Sequence, residues 1–241
     1  RGTPGHGSLP FRTDNALVTA AEIVRRLAEY RPPTVIHDTW RRFIEGIDFG
    51  PEWNANLLDE HKLRDFCEEL PLGLARQAHA CTHTTFAPTI ISGGTKVNVI
   101  PDSVDVQVDI RSLPGQRTAD IRALVDDALG DLAAQVEIQP VDENESTASP
   151  VETPLWDAMA RVSSQLVAGS ALVPFLTVGA TDARFFRRAG SVAYGFGLFS
   201  TRLSFEDFGA MFHGNDERVD VDSLVLSTQL WEALAADLLD G

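Results

Sequence analysis

With 241 residues, 44% of them hydrophobic, the chain is long enough for one or two domains that each bury a core. A net charge of −15, from 35 Asp and Glu against 20 Lys and Arg, argues against nucleic acid and anionic membrane surfaces as partners. No apolar run approaches the roughly 20 residues that a spanning helix needs, and the sequence opens on Arg1 without a charged-then-apolar leader. The two cysteines, Cys67 and Cys81, read as scattered thiols rather than a disulfide framework, which points to a reducing compartment or to simple indifference to redox; the expected setting is cytoplasmic.

In chain order, a short strand is expected at Thr3–Leu9. Thr13 or Asp14 can then cap a helix that buries Leu17, Ala20, Ala21, Val24 and Leu27 and stops before Pro32-Pro33. From about 33 to 81 there is no strand alternation. Short helical patterns lie around Trp40–Ile44 and Glu60–Cys67, with Pro51, Pro71 and Gly73 as breaks, so this stretch reads as a partly helical insertion. The pattern then changes to strands. Thr84–Ser92 is β-branched and bounded by Gly93-Gly94, and Lys96–Ile100 stops at Pro101. Val104, Val106, Val108 and Ile110 alternate with Asp105, Gln107, Asp109 and Arg111, as in a strand with one covered face. Thr118 is placed to cap a helix with Ile121, Leu124, Val125, Ala128 and Leu132 inward, and Val136 with Ile138 suggests a last strand. The expected fold class is α+β, a four-stranded sheet backed by two helices, for residues 1–142 with the insertion at about 33–81. An acidic, polar linker at 141–150 separates this from 143–241, an incomplete α/β piece. There the expected elements are a helix opened by Thr153-Pro154, strands at Leu172–Thr177 and Val192–Phe196, a short helix at Thr181–Arg188, and a closing helix at Val221–Leu239.

Three polar segments interrupt these patterns: Gly2-Thr3-Pro4-Gly5-His6-Gly7-Ser8, Ile91-Ser92-Gly93-Gly94-Thr95-Lys96-Val97-Asn98-Val99-Ile100-Pro101-Asp102, and Phe212-His213-Gly214-Asn215-Asp216-Glu217. Taken singly, they read as a Gly-rich turn with an incidental His, an edge residue near a proline, and an exposed loop His. In this order they resemble the C-terminal half of an M20-family metallohydrolase, of the aminoacylase, carboxypeptidase and succinyl-diaminopimelate desuccinylase group. The family's N-terminal His-x-Asp segment and paired glutamates have no counterpart in this sequence, so by that resemblance the chain reads as a fragment.

The resemblance implies roles. His6 would be catalytic, reaching from a lid domain into the partner subunit's active site to stabilise an oxyanion. Asn98 would touch substrate, and His213 would be a metal ligand. Arg111 is placed to hold a substrate carboxylate, although Asp105 or Asp109 could equally pair with it. Thr181 and Arg184, in Gly179-Ala180-Thr181-Asp182-Ala183-Arg184, resemble a carboxylate-binding stretch, with an ordinary capped helix as the plain alternative. His37, His61, His79 and His83 read as structural. In the complete enzyme the implied cofactor is two zinc ions with a bridging water, the substrate a small amide bearing a free carboxylate, and the assembly a homodimer through the lid. This chain alone, with one evident ligand, is expected to bind zinc weakly or not at all and to be inactive. A dimerisation and ligand-binding module without catalysis is the alternative.

Overall fold

The structure is a computed structural model describing residues 1–204, 207, 211 and 215–239. It divides into two compact units, Arg1–Pro33 with His83–Ser146, and Thr34–Thr82 with Thr147–Gly241.

The first unit opens with β1 (Gly5–His6) and α1 (Ala16–Glu29). Asn15, not Thr13 or Asp14, caps α1, its Oδ1 accepting from the Leu17 N–H at 3.0 Å. All three residues are competent caps. The stripe that packs inward is Ala16, Ala20, Ile23 and Leu27, and Leu17 is left half exposed. The unit continues with β2 (Thr85–Gly93), β3 (Val99–Ile100), β4 (Val104–Arg111), α6 (Thr118–Leu129) and a 3-10 turn at Gly130–Gln135. Thr118 is the first residue of α6 rather than its cap; the side chain of Asp120 accepts from the Arg117 N–H at 2.9 Å.

The expected four-stranded sheet is not what forms. Among the described residues there are two antiparallel pairs, β1 with β3 and β2 with β4. The cause lies in 96–101, where the Val99 N–H donates to the Lys96 carbonyl (3.1 Å). That turn uses up residues expected in the strand, and Pro101 lacks the N–H to extend it. The β2–β4 pair matches its alternation, because α1 and α6 cover one face. Leu27, Val125, Leu129 and Leu132 form the core there, with Phe86, Val108 and Ile110 packed against it. Val136 and Ile138 also join this core, but as extended chain outside any ladder.

The second unit contains α2 (Asp38–Ile47), α3 (Pro51–Leu57), α4 (Leu63–Cys67), α5 (Leu72–Thr82), α7 (Pro154–Leu166), α8 (Ala183–Arg188) and α9 (Val221–Leu239). Pro51 starts a helix instead of breaking one, since the first helical position needs no N–H donor. Trp40, Phe43, Ile44, Leu57, Leu63 and Ala78 form its first core, onto which Val173 and Leu176 pack. Gly46 permits that approach: a Cβ there would lie 2.5 Å from Val173 Cγ1. Thr153 caps α7, its Oγ1 accepting from the Trp156 N–H at 3.1 Å. The buried side of α7 meets Leu230 and Leu234 of α9 in a second core, beside Tyr194, Phe196 and Leu198. The segments expected as strands at Leu172–Thr177 and Val192–Phe196 carry no ladder among the described residues. α9 is apolar on a second face as well, where Leu224, Val225 and Trp231 stand about half exposed.

Candidate functional site

The β1–β3 ladder pairs Gly5 with Ile100 and His6 with Val99, and beyond it the Gly7 N–H donates to the Asn98 carbonyl at 2.8 Å. The segments that carry His6 and Asn98, distant in sequence, are therefore neighbours through their backbones, and both residues are exposed. Gly7 has a specific reason to be glycine: a Cβ would stand 3.2 Å from the Asn98 backbone. Gly93 has another, since a Cβ would meet Val104 Cγ2 at 2.7 Å where β2 passes the start of β4. The loop between them turns at Gly94, whose φ of +75° suits glycine. On the His6 ring, Nδ1 lies 3.1 Å from the Ser8 N–H and 2.7 Å from Ser8 Oγ.

Arg111 ends β4 and donates from Nη2 to Asp109 Oδ2 at 2.7 Å, both side chains being nearly half exposed. Of the two carboxylates offered by the sequence, Asp109 is the one engaged. An exposed pair of this kind contributes little to stability.

Thr181 and Arg184 belong to the second unit. The expected cap is not formed by Thr181. α8 begins at Ala183, Asp182 stands at the cap position without a side-chain cap bond, and Thr181 contributes its carbonyl to the Arg184 N–H at 3.4 Å. With six residues, α8 is too short to build the expected anion site from its N-terminus alone. The Arg184 guanidinium lies over the Phe185 ring, 4.8 Å from its centroid, and its Nε is buried with no hydrogen-bond partner among the described residues. Three residues on, Arg187 does what sequence reading missed. It donates from Nε and Nη2 to the Ala193 carbonyl (2.9 and 2.7 Å) and from Nη1 to the Thr147 carbonyl (3.0 Å), tying the end of the linker to 193. A third arginine in a helix otherwise read for its ligand was the available signal.

His213, the expected metal ligand, lies outside the described residues. Among the described residues, no group of three or more His, Cys, Asp or Glu is placed to hold a metal ion. His37 is a helix cap, its Nδ1 accepting from the Trp40 N–H (3.2 Å) and its Nε2 bonding the Cys81 carbonyl (2.8 Å). Burial pushes the Cys67 and Cys81 thiols up to about 11, so neither offers a thiolate near neutral pH.

Residues 1–137 match the family model of the M20 peptidase dimerisation domain. The chain belongs to the M20 peptidase family. It is 24% identical over 236 residues to the N-fatty-acyl-amino acid synthase/hydrolase PM20D1 of Xenopus tropicalis, a match covering 95% of this chain and 44% of that protein. It is 26% identical to the human PM20D1 over 92% of this chain and 44% of the relative. A probable succinyl-diaminopimelate desuccinylase of Staphylococcus aureus is 23% identical over 75% of the chain and 42% of its own length. Among solved structures, the M20 family metallo-carboxypeptidase Sso-CP2 of Sulfolobus solfataricus superposes with a TM-score of 0.61 at 15% identity, over 97% of this chain and 55% of that one. The di-peptidase Dug1p of Saccharomyces cerevisiae gives 0.58 at 12%, over 97% and 51%. These two likenesses establish the fold. The M20 member thus spans less than half the length of the curated relatives it matches. Its family is one of hydrolytic enzymes, and no helix among the described residues is long and apolar enough to cross a membrane.

Proposed function

We propose that this M20 chain is the lid and C-terminal portion of a zinc-dependent amidohydrolase or exopeptidase that cleaves an amide beside a free carboxylate. The observation that carries the reading is the β1–β3 ladder, which pairs the exposed His6 with Val99 and brings the backbone of Asn98 beside Gly7. His6 supplies a hydrogen-bond donor to the oxyanion that forms when water attacks the scissile carbonyl. Asn98 contacts the substrate, Arg111 or Arg184 serves its carboxylate, and His213 binds metal. Zinc, when bound, would supply an activated water and polarise the carbonyl; His213 would be one of its ligands, and the others and the general base would come from a further segment of the protein. The names of the relatives, an N-fatty-acyl-amino acid hydrolase, a desuccinylase and a di-peptidase, support an N-acyl amino acid or a dipeptide as substrate. The unpaired Cys67 and Cys81 support a cytoplasmic setting.

The apolar second face of α9 and the unladdered segments at 172–177 and 192–196 support the same view, since an α/β domain with further strands and helices would cover them. The deciding experiment is a zinc-loaded assay of the full-length gene product on N-acyl amino acids and dipeptides. Hydrolysis that stops with a chelator is expected. A full-length, zinc-loaded dimer that cleaves none of them while still binding carboxylate ligands would favour a non-catalytic dimerisation and binding module.

Two expectations concern the 241-residue chain itself. It should form a dimer of about twice its 26.3 kDa mass through the first unit, where β2 and β4 each pair on one side only and Ile90 and Ile91 stand half exposed. A monomer by light scattering at high concentration contradicts this. It should also hold zinc weakly or not at all, because a catalytic site normally uses three protein ligands. Stoichiometric, chelator-resistant zinc by atomic absorption would reveal further ligands, with Asp182 and Asp216 the first to substitute.

A further inference from the structure

We infer that Ser8 is a positioning residue for His6: it holds Nδ1 as a hydrogen-bond acceptor, so that the neutral ring carries its one proton on Nε2 and presents it outward. The inference rests on the reading of His6 as the oxyanion donor and specifies how that donor is prepared.

The argument begins with what each group can do. A backbone N–H only donates, and the Ser8 N–H points at His6 Nδ1 from 3.1 Å. That nitrogen must then offer a lone pair, and the Ser8 hydroxyl, 2.7 Å from the same atom, donates to it as well. A neutral imidazole has a single N–H, which leaves it on Nε2. The other tautomer would set one N–H against another.

The segment is built to keep this arrangement. The Leu9 N–H closes a turn on the His6 carbonyl at 2.9 Å, and the Gly7 N–H is tied to the Asn98 carbonyl at 2.8 Å, so the backbone on both sides of Ser8 is fixed. His37 provides an internal comparison. There too a backbone N–H, that of Trp40, occupies Nδ1, and Nε2–H is spent on the Cys81 carbonyl, which makes the ring a clamp. At His6 the same tautomer is set, but Nε2 has no partner among the described residues and the ring is exposed. A donor held this way needs no reorganisation when negative charge develops opposite it. Ser8 touches only the far side of the ring, and its effect passes through His6.

The test uses the ¹⁵N-labelled 241-residue chain at about pH 8, above the ordinary histidine range. Two-bond ¹H–¹⁵N correlation reads the tautomer, with His6 assigned by the signal lost in His6→Gln. The wild-type ring is expected to show the Nε2–H pattern. Ser8→Ala, which keeps the N–H but removes the hydroxyl, should shift the Nδ1 resonance away from its hydrogen-bonded position and raise the Nδ1–H fraction; Ser8→Thr should restore both. An Nδ1–H ring in the wild type, or no change in Ser8→Ala, overturns the inference. In the full-length enzyme Ser8→Ala should lower kcat roughly two- to tenfold, the worth of one neutral hydrogen bond, with KM unchanged and Ser8→Thr active. A His6→Ala enzyme of normal kcat would remove the catalytic reading of His6, and with it the purpose assigned to Ser8, whatever the tautomer. A low kcat in His6→Ala beside an unchanged tautomer and kcat in Ser8→Ala would remove Ser8 alone.

Discussion

His6→Ala in the full-length protein is expected to lower kcat by a factor of about 10²–10³ while leaving the metal content and the fold intact, the effect of deleting one oxyanion donor. The ladder accounts for the intact fold. β1 is held through backbone groups, by pairing of Gly5 with Ile100 and His6 with Val99 and by the Gly7 N–H on Asn98, none of which uses the imidazole. The ring is exposed, so its removal leaves no cavity. His213→Ala should behave differently, losing zinc and activity together, because a ligand acts on the ion in every state of the reaction and not only when charge develops. If His6 serves the active site of the partner subunit, mixing His6→Ala protein with His213→Ala protein should recover activity, since one site of each hybrid then combines an intact metal centre with an intact lid histidine. Metal analysis and steady-state kinetics on the two variants and their mixture check all three statements. A His6→Ala enzyme with unchanged kcat would remove the proposed role. An inactive mixture, with subunit exchange confirmed by differently tagged chains, would place His6 in its own subunit's site.

The parts of the fold legible in the sequence are those where a single covered face writes a clean period. Val104–Arg111 alternates because α1 and α6 lie over one side of β2–β4, and Val221–Leu239 keeps its predicted bounds because apolar residues recur at helical spacing for its whole length. Caps were harder to place. Thr13, Asp14 and Asn15 all carry side chains able to accept from a helix N–H, and only the backbone geometry selects Asn15. The helix at Leu72–Thr82 is masked in the sequence by Pro71 and Gly73, which read as breaks, yet proline immediately before a helix costs it nothing. The sequence of 96–100 suggests a full strand, but the turn closed at Lys96 leaves only Val99 and Ile100 for pairing, so the expected four-stranded sheet does not form. For the site, no periodicity relates His6 to Asn98. The resemblance named both, and the ladder supplies their adjacency. Arg187 is only faintly announced, by a third arginine in a short helix, because its partners are mainly backbone carbonyls, which no side-chain pattern shows.

Trp40→Ala is expected to destabilise the second unit by about 3–5 kcal/mol, a large share of the roughly 5–15 kcal/mol that holds a typical domain together. Trp40 is 2% exposed, stacks on Phe43 at 5.6 Å between ring centroids and donates from Nε1 to the Leu57 carbonyl at 2.8 Å. Truncation therefore opens a cavity among Ile44, Leu57 and Leu63 and strands a buried carbonyl as well. Trp40→Phe separates the two effects, keeping most of the volume while losing the donor, and should cost about 1–3 kcal/mol. The measurement is unusually selective, because Trp40, Trp53, Trp156 and Trp231 all belong to the second unit and none to the first. Urea unfolding followed by tryptophan fluorescence therefore reports this unit, and far-UV circular dichroism reports both. The same experiment tests whether the segment 34–82 is an independent insertion. Val173 and Leu176 pack on the Trp40 core and Gly46 abuts Val173, so the loss should lower a single fluorescence transition in which Trp156 and Trp231 take part. A separate early transition confined to Trp53, with Trp156 and Trp231 unfolding at the wild-type midpoint, would show that α2–α5 fold on their own and that these contacts couple the two segments only weakly.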